Sequence, residues 1–247
     1  MGWTSEMLAL DYNISRERQD EYGLVSHNRA SAAQQAGKFQ DEIIPITTSV
    51  LSDPKDPNSA REEIIADKDD GIRHGLTMDK LRAAKPAFKD YGDARSTGPN
   101  SSQVTDGAAM VVMMPRWKAE ELGLPILAKH VTTSVVGCKP RVMGVGPVYA
   151  IPWVSSGGAK GTKLMDHASC SKVLERAGIT KEEVDLIEVS RVFLRLHLWS
   201  DILFQLNEAF GSMYAYCVET LGLDNEKVNV NGGAMYVLSG ETIIDRD

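Results

Sequence analysis

A continuous apolar run constrains the fold of this chain more than any other feature of its sequence. Asp106 and Gly107 form a turn signal, and the residues that follow them, 108–114, are Ala-Ala-Met-Val-Val-Met-Met. The run is far shorter than the roughly 20 residues needed to cross a bilayer. Its continuity is typical of a strand that is buried on both faces. We therefore predict a sheet that is covered by helices on both sides.

Patterns along the rest of the chain predict helices and strands in alternation. Helices are predicted over 6–10, 16–36, 77–84, 115–123 and 207–221, and strands over 42–50, 126–136, 185–188 and 228–230. Ser15 is the expected N-cap of the longest helix, and Gly37 is its expected stop. Residues 51–75 are charged and aperiodic, so we predict a loop there. The alternation indicates a layered α/β core, to which residues 1–99 add an irregular mixed lobe.

Composition argues against several classes of function. The formal net charge of −7 argues against nucleic acid as a partner, because proteins that bind a phosphate backbone carry a basic face. A local basic pocket for a small phosphorylated ligand is still compatible with this net charge. No run of 18 or more apolar residues occurs, so we predict no membrane span. Cys138, Cys170 and Cys217 lack metal-ligand spacing, so no metal site is expected, and three cysteines fit a reducing compartment.

Eight short strings occur in one order along most of the chain. They are Met1-Gly2-x-Thr4-x-Glu6, Ile14-Ser15-Arg16-Glu17-x-Gln19-Asp20, Gly37-x-Phe39-x-x-Glu42-Ile43-x-Pro45, Lys85-Pro86-Ala87-Phe88, Asn100-Ser101-Ser102-Gln103-Val104-x-Asp106-Gly107-Ala108-Ala109, Met143-Gly144-Val145-Gly146-Pro147, Asn207-Glu208-Ala209-Phe210 and Val228-Asn229-x-Asn231-Gly232-Gly233-Ala234. Any one string is a weak signal, but eight in order make coincidence improbable. Together they resemble the thiolases, most closely the 3-ketoacyl-CoA thiolases of peroxisomal β-oxidation.

The resemblance implies a partial thiolase fold of the α/β class, in which a mixed loop domain is inserted into the first of two similar halves. By this comparison residues 1–99 are the CoA-binding loop domain, 100–122 the end of the first half, and 123–247 part of the second half. The chain is then expected to be truncated at both ends. The family also implies a homo-oligomer and a peroxisomal location, with a cytoplasmic or mitochondrial location left open.

The implied activity is that of an acyltransferase that cleaves a 3-ketoacyl-CoA by thiolysis, or runs the reverse condensation. CoA is a substrate, and no cofactor is expected. The family reaction needs a cysteine nucleophile, an activating histidine, a second cysteine and an oxyanion hole. The strings that carry both cysteines are not found, and residues 235–247 do not continue the motif in which the histidine is expected. We therefore expect this chain to lack thiolase activity by itself.

Seven positions match functional residues of the family. The substrate-binding residues that the resemblance implies are Met1, Arg73, Phe88, Ser102, Met143 and Phe210. An arginine suits a phosphate and an aromatic ring suits the thin pantetheine arm, while Met143 and Phe210 would line the thioester. The catalytic residue implied is Asn207, which would hold the oxyanion-hole water. Without the family resemblance, we would interpret Phe88 as a core anchor, Asn207 as a helix N-cap and Arg73 as a solvated charge.

Two stretches, 153–171 and 189–205, interrupt the resemblance. Each could be encoded by an unspliced intron, because Val189-Ser190 can be written GTA-AGT, a splice donor, and Phe204-Gln205 can end in TTTCAG, an acceptor. Residues 235–247 admit the same explanation. We expect such inserts to project from the α/β layers without core contacts. Genuine family-specific loops are the competing interpretation.

Two further functions remain open. The chain could be a non-catalytic fragment that binds acyl-CoA or a partner through the remaining lobe, which CoA affinity without thiolysis would favour. It could also be a thiolase relative of the sterol-carrier type, which acts on bulkier acyl chains. The width of the pocket around Phe88 would distinguish a sterol-carrier-type relative from the other candidates.

Overall fold

The computed structural model describes most of the chain. The described residues are 1–53, 55–69, 71–103, 110–131, 137–150, 177–179, 183–184, 186–189, 203–206 and 209–233. The helices within them are α1 (Gly2–Asp11), α2 (Arg16–Gln35), α3 (Met78–Arg82), α4 (Arg116–Glu121), α5 (Gly146–Ala150) and α6 (Gly211–Leu221). The strands are β1 (Ile46–Leu51), β2 (Arg61–Ala66), β3 (Leu186–Val189) and β4 (Leu203–Leu206), and short 3-10 helices cover Lys89–Tyr91, Gly98–Asn100 and Pro140–Val145. None of the helices in these ranges is long and apolar enough to cross a membrane.

Helix α2 begins and ends where the sequence predicts. The Ser15 hydroxyl accepts a hydrogen bond from the Arg18 N–H at 3.1 Å, which satisfies a backbone donor of the first turn. Gly37 takes a φ of +68°, so the chain leaves the helix through the left-handed region that glycine adopts without strain. The small residues of the helix face pack closely, and the core cluster they belong to is Ala30, Ala33, Phe39 and Ile72.

The main hydrophobic core lies between α1, α2, α6 and the 3-10 helix Pro140–Val145. Its most deeply buried members include Leu8, Val145, Ala215, Cys217 and Val228. The 3-10 helix approaches the other elements so closely that a Cβ on Gly144 would lie 2.9 Å from Met213 Cγ and 3.0 Å from Leu8 Cδ1. Glycine at this position therefore lets the 3-10 helix, which carries Met143, pack against both α1 and α6.

The segment 228–233 is bound along α2. The Arg29 guanidinium donates to the backbone carbonyls of Asn225 at 2.9 Å and Val228 at 2.7 Å. The strand predicted over 228–230 is wrong, because Asn229 has a left-handed φ of +49° and the backbone turns here.

The same segment makes its closest approach to α2 at Gly232. This residue has a φ of +89°, and a Cβ there would lie 2.6 Å from Ala30 Cβ and 2.7 Å from the Ser26 carbonyl oxygen. The next residue, Gly233, donates its N–H to the Ser26 hydroxyl at 2.9 Å. Only glycine fits this combination of backbone angle and contact distance.

Three predicted elements of the first hundred residues need correction. Residues 51–75 are not all loop, because β2 pairs with β1 as an antiparallel hairpin in which Ile46 lies opposite Ala66. Strand β1 begins at Ile46, later than predicted, and α1 begins at Gly2, earlier than predicted. The hairpin escaped detection because it is mostly exposed, so its residues lack the apolar alternation that a half-buried strand requires.

The apolar run 108–114 is not a buried strand in its described part, 110–114. No strand forms there, and Met110 is 89% exposed. The strand predicted over 126–136 is likewise absent from 126–131. A strand of this type is stabilised when neighbouring strands and helices cover both faces, and none of the described residues covers these. Helix α4 and its stop at Gly123, with a φ of +64°, match the prediction.

Strands β3 and β4 form a parallel pair in which Leu186 lies opposite Leu203. The strand predicted over 185–188 is therefore confirmed to within a residue. The final residues of the second interruption, 203–205, belong to β4 instead of projecting as expected. Their connection to β3 is of the length, a dozen residues or more, that parallel strands require. The first interruption, 153–171, and the stretch 235–247 lie outside the described residues, so their origin stays a hypothesis.

Candidate functional site

Two phenylalanines from distant parts of the chain meet at the N-terminal end of α1. The Phe88 and Phe210 rings lie edge to face, with centroids 6.4 Å apart. A Cβ on Gly2 would overlap the Phe88 ring, so glycine at this position leaves the space that the ring occupies. Met1, the N-cap of α1, is exposed beside this cluster. The structure thus brings Met1, Phe88 and Phe210 to one place, which we call the aromatic cluster.

Ser102 is joined to the same place through the backbone. Its N–H donates to the Ala209 carbonyl at 2.9 Å, and Ser101 forms an isolated antiparallel bridge with Phe210. Phe210 is the N-cap of α6. The loop that carries Ser102 is therefore paired with the chain that enters α6, immediately after the position of Asn207. Asn207 itself lies outside the described residues.

A buried polar network holds this loop against α1. The Glu6 carboxylate accepts hydrogen bonds from the N–H groups of Arg95 at 2.9 Å and Ser96 at 2.8 Å. The Ser5 hydroxyl bonds to the hydroxyls of Ser96 at 2.7 Å and Ser212 at 2.8 Å. These side chains are almost fully buried, where a satisfied polar network fixes one arrangement. The network therefore sets the relative positions of α1, the loop and the first turn of α6.

Asn100 links the other side of the loop to α2. Its side-chain amide donates to Asp20 at 2.8 Å, and its oxygen accepts from the Thr97 N–H at 2.7 Å. Asp20 in turn accepts from Arg16 at 2.7 Å. The sequence Thr97-Gly98-Pro99-Asn100, which departs from the family pattern, thus forms a tight 3-10 turn in which the Asn100 side chain bonds to both the Thr97 backbone and α2.

A basic cleft of about 420 Å³ opens between α3 and the 3-10 turn. Its described lining residues are Arg73, His74, Leu76, Lys80, Ala84, Lys85, Gly98 and Pro99. Four of these eight are basic side chains and none is acidic. The Lys80 ammonium donates to the Gly75 carbonyl at 3.0 Å, and no carboxylate among the described residues lies within salt-bridge distance of Arg73, Lys80 or Lys85. An arrangement of this kind attracts a small anion.

His27 lies beneath the cleft on α2 and is fully buried. Its Nδ1 accepts a hydrogen bond from the Arg73 N–H at 3.5 Å. Burial, reinforced by the Arg73 charge, lowers the pKa of His27 to about 4. The imidazole is therefore neutral near pH 7, and its acceptor nitrogen holds the backbone from which Arg73 reaches the cleft.

The two described cysteines flank the 3-10 helix that carries Met143. The Cys138 thiol donates to the Met143 carbonyl at 3.5 Å, and the Cys217 thiol donates to the Gly144 carbonyl at 3.6 Å. Burial raises the pKa of Cys217 to about 12. A donating thiol is the protonated form, whereas a nucleophilic cysteine acts as the thiolate. The sequence therefore correctly predicts Cys217 to be a buried structural thiol.

Five of the six predicted substrate-binding residues lie at two neighbouring sites. Arg73 lines the cleft, whereas Met1, Phe88 and Phe210 form the aromatic cluster, and Ser102 is attached to that cluster. Met143 is partly exposed on a helix packed against α1 and α6. Within the described residues no cluster of side chains suited to a metal ion occurs.

Sequence reasoning missed the contribution of Lys80 and Lys85 to the cleft, and that of His27 beneath it. Lys80 lies seven positions after Arg73 and Lys85 twelve positions after it. The only available signal was the run of basic residues between 73 and 85, which a charged loop also shows.

Comparison with known proteins gives a consistent result at the level of sequence. The family model described as the N-terminal domain of thiolase matches residues 1–117. The chain is 43% identical over 235 residues to the peroxisomal 3-ketoacyl-CoA thiolase A of Mus musculus, covering 95% of this chain and 46% of that protein. The human peroxisomal 3-ketoacyl-CoA thiolase is also 43% identical, with the same coverage. The chain thus spans about half the length of the curated relatives that it matches.

Solved structures agree in fold. The acetyl-CoA acetyltransferase of Bacillus anthracis superposes with a TM-score of 0.72 at 36% identity, covering 98% of this chain and 49% of that one. The dimeric peroxisomal thiolase of Saccharomyces cerevisiae superposes with a TM-score of 0.68 at 30% identity, again covering 98% and 49%. The α/β fold class expected from the sequence is therefore confirmed.

Proposed function

Because this chain belongs to the thiolase family, we propose that its aromatic cluster and basic cleft together bind one molecule of an acyl-CoA. In this proposal Arg73 contacts a phosphate of CoA, and Met1, Phe88 and Ser102 are further contacts to CoA, with the Phe88 ring against the pantetheine arm. Met143 and Phe210 line the reacting thioester. Asn207 would hold the oxyanion-hole water. CoA is a substrate here, and no metal or further cofactor is involved.

One structural relationship supports a shared ligand. Lys85 and Pro99 line the cleft, and each lies three positions before a residue of the other site, Phe88 and Ser102 respectively. Three residues span at most about 11 Å even when fully extended. The cleft and the aromatic cluster are therefore close enough for a long, thin ligand with a charged end to occupy both.

The reaction we propose for this site in the family context is thiolytic cleavage of a 3-ketoacyl-CoA to acetyl-CoA and a shortened acyl-CoA in fatty acid β-oxidation. We further propose that the polypeptide of residues 1–247 does not perform this reaction alone. Both described thiols donate to backbone carbonyls, and the pKa of Cys217 is raised to about 12. Cys217 is thus not arranged to supply a thiolate at neutral pH.

A non-catalytic acyl-CoA-binding protein is the second candidate. The observation that favours it is the raised pKa of the buried Cys217 thiol, combined with a cleft that retains its basic residues. A turnover assay tests the inactivity that both candidates expect of this polypeptide. The purified polypeptide is incubated with acetoacetyl-CoA and CoA while the 3-keto thioester is followed, and its loss above background would reject the proposed inactivity and the non-catalytic candidate together.

We propose the division of the chain that the sequence suggested: residues 1–99 form the CoA-binding loop domain, 100–122 end the first core half, and 123–247 belong to the second. We also propose a peroxisomal location and a homo-oligomeric state, supported by relatives whose names state a peroxisomal or dimeric protein. Cell fractionation and analytical ultracentrifugation would test these two points.

Calorimetric titration of the polypeptide with CoA tests the binding proposal. We expect measurable affinity that falls roughly tenfold in Arg73→Ala, the size of one charge-assisted hydrogen bond, and also falls in Phe88→Ala. The matched controls are Arg116→Ala and Trp117→Ala on α4, which are exposed and distant in sequence from both sites. Absence of binding, or an equal loss in the controls, would reject the proposal.

A further inference from the structure

One segment, residues 110–131, exposes more apolar surface than any other part of the described structure. Seventeen large hydrophobic side chains are exposed among the described residues, and ten of them lie in this segment. They are Met110, Val111, Val112, Met113, Trp117, Leu122, Leu124, Ile126, Leu127 and Val131. Single exposed hydrophobic residues are common, but a dense group of them marks an interaction surface. We call residues 110–131 the apolar segment.

The exposed area of this segment is of the size that a stable protein–protein interface requires. Side chains of this kind carry roughly 60–120 Å² of apolar surface each, and the ten are between 42% and 89% exposed. The segment therefore exposes on the order of 500 Å² of apolar surface. A standard interface buries about 800 Å² per partner, of which somewhat more than half is apolar. One such interface would cover the segment.

The beginning of the segment can pair with a copy of itself. Residues 110–114 have the sequence Met-Val-Val-Met-Met, carry no charge, and make no backbone hydrogen bond to another described residue. In an antiparallel pair with a twofold axis at Val112, Met110 lies opposite Met114 of the second copy, and Val112 lies opposite its own counterpart. Side chains at 110, 112 and 114 share one face of a strand. Both copies then place Met, Val and Met on that face, so the run is self-complementary.

The charged residues of the segment do not favour a strongly charged partner. On α4, Arg116 lies 3.8 Å from Glu120 and Lys118 lies 2.7 Å from Glu121. These two pairs leave the charge of the segment nearly balanced. An apolar surface of this kind is better matched by a copy of itself than by a polyanion or a polycation.

Resting on the homo-oligomeric state proposed above, we propose that two copies of this polypeptide associate through the apolar segment, and that residues 110–114 form an antiparallel strand pair about Val112. The pairing supplies hydrogen-bond partners to the backbone of 110–114 and covers its exposed side chains. The strand that the sequence predicts in this run then forms on association between copies.

Analytical ultracentrifugation over a range of concentrations tests this inference. The unsubstituted polypeptide should sediment as a dimer. Val112→Lys places two ammonium groups opposite each other at the twofold axis, so its dimer dissociation constant should rise at least about 100-fold. Val112→Ile keeps the apolar surface and should dimerise like the unsubstituted polypeptide. Ile65→Lys is the matched control, because Ile65 is similarly exposed on the β1–β2 hairpin, and this variant should remain dimeric.

Oxidative cross-linking reports the register of the pair. Val112→Cys should form a disulfide-linked dimer under mild oxidation, because residue 112 lies opposite its own counterpart. Val131→Cys is exposed at the other end of the segment and should form much less of this product. Equal cross-linking of the two variants would reject the antiparallel register about Val112.

Three outcomes of these measurements overturn the proposal at different levels. A monomer at every concentration would reject this inference and the proposed homo-oligomeric state together, and would leave a different polypeptide as the partner of the segment. A Val112→Lys variant that stays dimeric, or an Ile65→Lys variant that dissociates, would reject only the assignment to the apolar segment. CoA titration keeps the proposed binding function separate, because Val112→Lys should bind CoA as the unsubstituted polypeptide does. A Val112→Lys variant that loses CoA binding would show a general loss of structure and reject the assignment.

Discussion

The Phe88 ring occupies the space that a Cβ on Gly2 would need. The two residues are 86 positions apart (88 − 2), and their contact joins the first turn of α1 to the loop that leads into the basic cleft. Gly2 therefore contributes to the candidate site by being small, without contacting a ligand itself.

Substitution of Gly2 by alanine is expected to displace the Phe88 ring. Overpacking of this kind costs about 1–3 kcal/mol of unfolding free energy, and the moved ring should also weaken CoA binding. Gly137→Ala is the control, because no atom of the described residues lies within 4 Å of its Cβ position. Denaturant unfolding and CoA titration of both variants provide the measurements. A Gly2→Ala variant that matches Gly137→Ala in both would contradict the described packing.

The close approach of Gly232 to α2 predicts a larger effect. Alanine there adds about 1–2 kcal/mol of left-handed backbone strain to about 1–3 kcal/mol for contact with Ala30 and the Ser26 carbonyl. Gly75→Ala separates the two contributions, because Gly75 has a φ of +64° with nothing within 4 Å of its Cβ position. Chemical denaturation should therefore show a greater loss of stability for Gly232→Ala than for Gly75→Ala. Equal losses of stability in the two variants would mean that contact with α2 does not add to the cost of a side chain at Gly232.

The buried neutral state of His27 predicts that stability falls in mild acid. The pKa of His27 is lowered to about 4 in the folded state from the ordinary histidine value of 6.5. Between pH 6.5 and pH 4 the unfolded chain therefore binds a proton at this position that the folded chain does not bind. The unfolding free energy should therefore decline from about pH 6.5 to pH 4, by about 3 kcal/mol in total at about 1.4 kcal/mol per pH unit.

His27→Asn is the informative variant for this prediction, because the asparagine oxygen can still accept the Arg73 N–H without titrating. Urea unfolding at intervals between pH 4 and pH 8 should show a shallower acid dependence in the variant. At pH 8 both proteins are neutral at this position, so any difference there measures packing alone. Parallel curves for the two proteins over the whole range would refute the assignment.

Burial of Cys217 predicts that its thiol resists alkylation in the folded protein. The pKa raised to about 12 leaves almost no thiolate at pH 8, and the sulfur is covered by the core. Iodoacetamide labelling followed by peptide mass spectrometry should find Cys138 modified first, since it is partly exposed. Cys217 should be modified only after unfolding in urea. Rapid labelling of Cys217 in native buffer would show that the core around it opens.

Local signals in the sequence predicted the elements that are stabilised by their own residues. The cap at Ser15, the stop at Gly37 and the stop at Gly123 each depend on a few neighbouring positions, and each is confirmed. The strands predicted around 110–114 and 126–131 are wrong for the opposite reason. A buried strand depends on the elements that cover it, and a periodicity rule cannot state whether those elements are present.

The candidate site shows the same division. Family strings located Arg73, Phe88, Ser102 and Phe210, which the structure places in two adjoining sites, while Asn207 lies outside the described residues. Lys85 begins one of the strings, but the strings assigned no role to it, to Lys80 or to His27, because the cleft forms only when α2, α3 and the 3-10 turn pack together. Residues that come together only through packing between elements can be identified only once the fold is known.

The attachment of residues 225–233 to α2 has a consequence for how the protein is made. Arg29 must wait for carbonyl partners 196 and 199 positions later in the chain. At a synthesis rate of about 5–20 residues per second, α2 leaves the ribosome roughly 10–40 s before those partners exist. During that interval the groove beside Ala30 lacks its occupant, and the nascent helix presents small apolar residues to the surrounding cytosol. Contacts of such long sequence separation should therefore make the refolding of this chain slow.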